Sequence, residues 1–118
     1  MFSIIIPSLN NINYLKVCID SLKKNSSLNN EIIVHVNIGN DGTVKYLEEN
    51  NINYTFTDYN AGICEGVNIA AKKSKYDYIL YSHDDFYFCP SWDAILKKEI
   101  ELIGHNNFYL SGTMIGIG

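Results

Sequence analysis

Two adjacent carboxylates, Asp84 and Asp85, are the residues of this sequence best suited to do chemistry. They come shortly after the run from Tyr78 to Tyr81, whose apolar and aromatic residues indicate a buried strand. In an open α/β sheet, ligands bind just beyond the carboxyl ends of the strands. Carboxylates at that position suit Mg²⁺ or Mn²⁺, because these hard cations are held by oxygen ligands that often include substrate phosphates. The pair therefore predicts a divalent metal that neutralises a phosphate.

The geometry of an extended chain ranks these ligands. Residues two apart share a face, so Ser82 and Asp84 would point one way and His83 and Asp85 the other. Both acids can reach one ion only if the chain turns here, which makes Asp84 the expected principal ligand and Asp85 the second. The alternative interpretation is an acidic loop that is simply solvated. His83 is open to three interpretations, as a ligand, a phosphate contact or a turn residue.

Length, charge and cysteine content exclude several classes of protein. The 118 residues suffice for one domain with a substantial core, and we expect a single domain over residues 1–118, either a truncated piece or a minimal protein. A net charge of −4 argues against nucleic-acid binding. We expect a cytoplasmic protein, because no apolar run approaches the roughly 18 residues of a membrane span and the N-terminus lacks the basic region of a signal peptide. The three cysteines predict neither a disulfide framework nor a zinc site.

Strands and helices are predicted to alternate along the chain. The predicted strands are Phe2–Ile6, Glu31–Val36, Ile52–Phe56, Tyr78–Tyr81 and Phe108–Met114. The predicted helices cover about Ile12–Lys24, Thr43–Asn50, Ile63–Lys73 and Trp92–Ile103. Their expected N-caps are Asn10 or Asn11 for the first, Asp41 or Thr43 for the second and Ser91 for the last. This alternation predicts an α/β protein with a mostly parallel sheet and helices on both faces.

The best-known nucleotide-binding motifs are missing. Gly39 and Gly42 do not have the Gly-x-Gly-x-x-Gly spacing, and the sequence has no Walker lysine loop. His35, inside a strand, is predicted to be a buried or edge histidine with hydrogen-bond partners. Asn68 lies in the middle of a predicted helix, where Asn is a poor helix former, so it is either a contact residue or a solvated position.

Four segments in order resemble family 2 glycosyltransferases of the GT-A fold, in the N-terminal half that binds the nucleotide sugar. Phe2–Asn10 is similar to the family's SIIIPTYN start, and Glu31–Val34 with Asn40–Thr43 is similar to its EIIVVDDGSTDGT segment. Asn60–Gly62 with Asn68 and Ala71 resembles its N-x-G…N-x-x-x-x-A helix, and Tyr78–Asp85 stands where the family has a metal-binding Asp-x-Asp. The resemblance covers essentially the whole chain and implies a Rossmann-like GT-A nucleotide-binding half.

The resemblance also implies roles for individual residues. The base and ribose pocket would be lined by Pro7, Ser8 and Asn10. The nucleotide pocket would be shaped by Gly62 and Asn68. Mn²⁺ or Mg²⁺ would be held against the donor diphosphate by Asp84 with Asp85. The donor would be a nucleotide diphosphate sugar, most readily a UDP-sugar, and the acceptor and the catalytic base are not identified.

Three departures from the family pattern leave alternatives open. The base-contacting Asp aligns with Val36, so that this contact is missing or moves to Asn37. The first Asp of Asp-x-Asp aligns with Ser82. The chain ends where the acceptor-binding half should begin, and no acidic residue follows Gly104. A non-catalytic nucleotide- or sugar-binding module with a degenerate site is therefore the second hypothesis. The third is an α/β domain that serves only as an interaction or assembly unit, for which a self-associating sheet edge after Met114 would be a sign.

Overall fold

Parallel strands form the central sheet of the molecule. The computed structural model describes residues 1–105. The strands are β1 (Phe2–Leu9), β2 (Glu31–Asn37), β3 (Asn53–Thr57) and β4 (Tyr78–Tyr81), and the helices are α1 (Ile12–Asn25), α2 (Thr43–Glu49), α3 (Gly62–Ala71) and α4 (Trp92–Ile103). The sheet order is β3-β2-β1-β4, and all neighbouring strands are parallel. The predicted strand Phe108–Met114 lies outside the described residues.

The side chains of β1 alternate between two apolar layers. Ile4 and Ile6 belong to the larger layer, which also contains residues of three helices: Leu15, Ile19 and Leu22 of α1, Leu47 of α2 and Ile100 of α4. Ile5 belongs to the smaller layer, where it packs with Ile33 of β2 and Ala70 of α3. Because successive strand residues point to opposite faces, a strand that is covered on both sides is apolar throughout. This arrangement confirms the predicted parallel sheet with helices on both faces.

β1 continues through Pro7 to Leu9, so the predicted end of this strand at Ile6 is wrong. The carbonyl of Ile5 faces β4 and accepts a hydrogen bond from the Ser82 amide. Pro7, two residues further on, faces the same side, but the pairing with β4 reaches only to Ile5. The missing N–H of Pro7 therefore removes no ladder bond, and β1 stays paired with β2 as far as Leu9.

Asp41 caps α1 from a loop that belongs to a different βα unit. Its Oδ2 accepts the Ile12 N–H at 2.9 Å, while its Oδ1 accepts the Thr43 N–H at 3.3 Å at the start of α2. The predicted role of Asn10 or Asn11 as a side-chain cap of α1 is wrong, because Asn11 occupies the N-cap position without a side-chain cap bond. One carboxylate thus stabilises the first turns of two helices.

The first turn of α4 is held by hydrogen bonds to Asp93. The predicted capping role of the Ser91 side chain is wrong, because it makes no cap hydrogen bond. Asp93 is fully buried and accepts the N–H groups of Ser27 and Leu28 and the side-chain amide of Asn30. Burial by itself would raise the pKa of this carboxyl, but the hydrogen bonds outweigh it and hold the pKa below its usual value. They join α4 to the loop between α1 and β2.

None of the helices within residues 1–105 combines the length and the apolar character that a membrane span requires.

Candidate functional site

The strand order reverses between β1 and β4. From β1 the chain adds β2 and then β3 on one side, and it returns to place β4 on the other side of β1. The loops that leave β1 and β4 both start at the carboxyl edge of the sheet, where open α/β sheets bind their ligands. The carboxyl end of β1 brings Pro7, Ser8 and Asn10 to this edge, and the loop after β4 brings Asp84 and Asp85.

Ser8 and Asp84 meet at this edge of the sheet. The Ser8 hydroxyl donates a hydrogen bond to Asp84 Oδ2 at 2.8 Å, although 76 residues separate the two positions. Ser8 is only 2% exposed, whereas Asp84 is half-buried. The structure thus joins Ser8, which the resemblance implies for the nucleotide pocket, to Asp84, the expected principal metal ligand.

The chain turns at Asp84 and Asp85, which is the condition for both carboxylates to approach one ion. Burial alternates along the approach to this turn: Ser82 is buried, His83 is exposed, Asp84 is half-buried and Asp85 is exposed. This alternation agrees with the predicted extended geometry.

Ser82 aligns with the first Asp of the family's Asp-x-Asp motif, and it lies buried against α1. It is fully buried, and its hydroxyl donates to the His83 carbonyl at 2.9 Å. The Cys18 thiol of α1 donates to the same carbonyl at 3.7 Å. Burial raises the pKa of Cys18 to about 11, so this thiol stays protonated at neutral pH.

His83 lies in a row of aromatic side chains. Its ring centroid is 5.2 Å from that of Tyr81 and 4.9 Å from that of Phe86. Its Nε2 is 3.4 Å from the Tyr81 hydroxyl. The exposed histidine therefore contacts two aromatic side chains.

The donor set suits a hard cation that shares its coordination shell with a phosphate. Residues 1–105 contain no group of three or more His, Cys, Asp or Glu side chains that could form a complete metal cage. Two carboxylates with a nearby hydroxyl leave most of an octahedral shell to water and phosphate oxygens, which is a usual arrangement for Mg²⁺. Asp84 and Asp85 therefore fit a metal bound together with a diphosphate.

Asn37 holds the loop that leads into α3. It is 4% exposed, and its Oδ1 accepts the Ala61 N–H at 2.9 Å and is 3.4 Å from the Thr57 hydroxyl. Val36, which aligns with the family's base-contacting Asp, is buried in the larger core layer. Asn37 thus lies beside the predicted nucleotide pocket but uses its carbonyl oxygen to position the segment before Gly62.

Asn10 joins two loops at the same edge of the sheet. It has a φ of 46°, a left-handed conformation that Asn tolerates better than most residues. Its Oδ1 accepts the Asn40 N–H at 2.8 Å. Together with the bond between Asp41 and Ile12, this contact holds the loop after β2 against the loop after β1.

Gly62 is the first residue of α3, and Asn68 lies in the middle of this helix. Gly62 has a φ of 76° at the start of the helix, where its N–H bonds to the Asn60 side chain at 3.0 Å. Asn68 is exposed in the middle of the helix, and no hydrogen bond within residues 1–105 connects it to Ser8 or Asp84. The described contacts therefore bring Ser8 and Asp84 together but do not bring Asn68 to them.

A buried polar network supports the loop before α3. His35 is fully buried, as predicted, with Nδ1 2.7 Å from Thr55 Oγ1 and Nε2 3.1 Å from Thr57 Oγ1. Because the Thr57 hydroxyl donates to the Tyr59 carbonyl at 2.8 Å, it accepts from His35 Nε2–H, which leaves Nδ1 to accept from Thr55. Burial lowers the pKa of His35, and Asn37 offsets this only in part. Sequence reasoning missed both threonines because Thr is ordinary in strands.

Comparisons with known proteins identify the family of this chain. The family model described as "Glycosyl transferase family 2" matches residues 3–116. The chain belongs to glycosyl transferase family 2. A relative from Haemophilus influenzae, described as an uncharacterized glycosyltransferase, is 30% identical to this family 2 chain over 112 residues. That match covers 92% of this chain and 37% of the relative.

Solved structures of Staphylococcus aureus TarS share the fold of this family 2 chain. One TarS structure matches with a TM-score of 0.72 and 22% identity, covering 87% of this chain and 19% of TarS. A structure of TarS 1–349 in complex with UDP matches with a TM-score of 0.69 and 23% identity, covering 87% of this chain and 32% of that one. A structure with UDP-GlcNAc matches with a TM-score of 0.68 and 21% identity, covering 88% and 31%. This chain therefore spans about a third or less of the TarS chains.

Proposed function

We propose that this chain is the donor-binding domain of a metal-dependent glycosyltransferase that uses a nucleotide diphosphate sugar, with UDP as the favoured nucleotide. The observation that carries the proposal is the hydrogen bond between Ser8 and Asp84 at the strand-order reversal, with Asp85 beside it. Membership of family 2 supports a sugar-transfer reaction. The fold shared with TarS structures that contain UDP or UDP-GlcNAc favours a uridine nucleotide.

Each predicted site residue has a place in this proposal. Asp84 and Asp85 would hold Mn²⁺ or Mg²⁺, and the bound metal would neutralise the charge of the departing nucleoside diphosphate. Ser8 orients the Asp84 carboxylate by donating to one of its oxygens. The remaining contacts to base, ribose and phosphate are proposed for Pro7, Ser8, Asn10, Asn37, Gly62 and Asn68.

The acceptor half of the reaction is not assigned to this chain. An inverting transfer needs a general base that removes the proton of the acceptor hydroxyl, and this is usually an Asp or Glu. No acidic residue follows Gly104 in the sequence. The chain also spans only 37% of its Haemophilus influenzae relative. We therefore propose donor binding as the activity of these residues, while a single-domain organisation, a cytoplasmic location and self-association stay predictions.

A thermal-shift series tests the donor site. UDP, dTDP, GDP and CDP are each added with and without Mn²⁺ to the wild type and to Asp84→Ala. A ligand at about 100 times its dissociation constant should add about 2.7 kcal/mol to the free energy of unfolding. We expect a metal-dependent rise in Tm with UDP that is lost in Asp84→Ala. No rise with any nucleotide would overturn the proposed donor site.

A binding module without transferase activity is the second candidate function. The observation that favours it is Ser82, which occupies the place of the family's first metal-binding Asp and is buried against α1. This candidate predicts that the chain binds UDP-sugar but neither transfers the sugar nor hydrolyses the donor. Release of UDP from UDP-GlcNAc in the presence of Mn²⁺, measured over hours, would exclude it.

A further inference from the structure

One side of α1 carries polar residues where a core helix is normally apolar. Cys18, Ser21 and Asn25 are 0%, 2% and 8% exposed. Their spacing of three and four residues places them in one row along the helix. Cys18 also belongs to the larger core layer, whereas the hydroxyl of Ser21 and the side-chain amide of Asn25 contact a different part of the molecule.

The polar row binds the segment that follows the two carboxylates. The Ser21 hydroxyl accepts the Phe88 N–H at 2.9 Å, and Asn25 Nδ2 donates to the Phe88 carbonyl at 2.7 Å. The Asn25 backbone carbonyl accepts the Ser91 N–H at 2.9 Å. Both backbone polar groups of Phe88 are therefore satisfied by α1, in a segment that has no strand or helix of its own to satisfy them.

The same row also touches the chain just before the carboxylates. The Cys18 thiol donates to the His83 carbonyl, the residue that precedes Asp84. α1 thus contacts the loop at His83 on one side of the acidic turn and at Phe88 on the other. The Ser8 hydroxyl supplies a third attachment at Asp84 itself.

We infer that Ser21 and Asn25 are positioning residues that hold the acidic turn in the geometry needed to bind a metal with a diphosphate. This inference depends on the proposed function. The carboxylates of a metal site must be held close to their productive geometry, and a turn without ladder bonds cannot supply this by itself. Hydrogen bonds from α1 to the backbone after the turn restrict the directions that Asp84 and Asp85 can take. Neither residue would touch the metal or the nucleotide.

The test compares hydrogen bonds to the acidic loop with a similar bond elsewhere. Ser21→Ala and Asn25→Ala remove the contacts to Phe88. Ser26→Ala is the matched control, because it removes the hydrogen bond from Trp92 Nε1 to Ser26 Oγ at 3.1 Å, which joins the end of α1 to α4, and leaves the hydrogen bonds to the Phe88 backbone in place. For each variant of the full chain, calorimetry measures the Mn²⁺ affinity at saturating UDP and the UDP affinity without metal.

We expect about a tenfold loss of Mn²⁺ affinity in Ser21→Ala and Asn25→Ala, the lower end of what the loss of residues supporting metal ligands costs. Metal-free UDP binding and all values for Ser26→Ala should stay close to wild type. Ser21→Thr keeps the hydroxyl acceptor and should bind Mn²⁺ more tightly than Ser21→Ala. This comparison tests the positioning role of the Ser21 hydroxyl even if Asn25→Ala does not fold.

Three results would count against these conclusions, and each has a different consequence. If wild type binds UDP with Mn²⁺ and Ser21→Ala binds Mn²⁺ equally well, the positioning role is wrong and the donor site stands. If Ser26→Ala weakens Mn²⁺ binding as much as Ser21→Ala does, the effect is general destabilisation and the positioning role is also wrong. If wild type shows no Mn²⁺-dependent UDP binding, the proposed function fails and the positioning role fails with it.

Discussion

The Ser8 hydroxyl donates to Asp84 Oδ2 at 2.8 Å and thereby ties the carboxyl end of β1 to the acidic turn after β4. Ser8 can do this because β1 continues beyond its pairing with β4, which ends at Ile5. A metal ligand with one oxygen held in this way keeps its other oxygen aimed in a defined direction. The bond is therefore the most direct structural support for the proposed metal site.

Ser8→Ala should weaken Mn²⁺-dependent UDP binding by about tenfold, because the Asp84 carboxylate loses its orienting donor. It should also lower the free energy of unfolding by about 1 kcal/mol, the typical net value of one hydrogen bond. Calorimetry and urea denaturation measure the two effects. Ser74→Ala is the control, since the Ser74 hydroxyl is buried without a hydrogen-bond partner in the described residues. Undiminished Mn²⁺ affinity in Ser8→Ala would show that Asp84 needs no such support.

Asp41→Ala should destabilise the fold by about 1–2 kcal/mol, because it removes acceptors at the starts of two helices. Urea denaturation at pH 7 measures the loss. Asp58→Ala, in the exposed loop after β3, is a matched control for the removal of one negative charge. Equal stability of the two variants would mean that the contact between Asp41 and Ile12 contributes nothing measurable.

The stability of the protein should fall in acid, in part through Asp93. Burial would raise the pKa of Asp93, but hydrogen bonds from Ser27, Leu28 and Asn30 outweigh it and hold the pKa below the usual value. Between the folded and the unfolded pKa of Asp93, the unfolded chain binds more protons than the folded one, so the free energy of unfolding rises with pH. The contribution is present above the unfolded pKa of about 4 and is lost as the pH falls through the lower folded pKa.

Urea denaturation of wild type and Asp93→Asn between pH 2 and pH 7 tests this linkage. The difference in the free energy of unfolding between the two proteins should be largest near neutral pH and should shrink as the solution becomes acidic. A difference that stays constant over this range would show that the Asp93 carboxyl has the same pKa in the folded and unfolded states.

Gly66→Ala should destabilise the protein, although Ala is the better helix former. A Cβ at Gly66 would lie 2.9 Å from the His35 ring carbon Cδ2. His35 is fully buried and held by two threonines, so it cannot easily move away. We expect a loss of about 1–3 kcal/mol from overpacking, against the gain of up to about 1 kcal/mol normal for Gly to Ala in a helix. Thermal denaturation of Gly66→Ala and of Asn68→Ala, a substitution at an exposed position of the same helix, shows whether each change raises or lowers the stability relative to wild type.

Much of the fold could be predicted because apolar periodicity is a local property of the sequence. β4 and α4 have the predicted bounds, and the apolar residues Leu15, Ile19 and Leu22, which recur at helical spacing in α1, are buried. Not every apolar helix position is covered: Ile63 of α3 is 53% exposed. Periodicity identifies an apolar face, but it does not reveal whether a neighbouring element covers that face.

The candidate site was predictable as a set of residue types but not as a set of contacts. The pair Asp84–Asp85 and the position of Ser8 near a strand end follow from the sequence, since acids and hydroxyls after apolar runs lie at the carboxyl edge of a parallel sheet. That Asp41 caps α1, and that Ser21 binds Phe88, follows only from the tertiary structure. These partners are 29 and 67 residues apart, and each bond depends on how helices and loops of separate βα units pack around β1. The sequence by itself determined the elements and the chemistry they carry, whereas the tertiary structure decided which side chains hold that chemistry in place, because hydrogen bonds form only between groups that packing brings within about 3 Å.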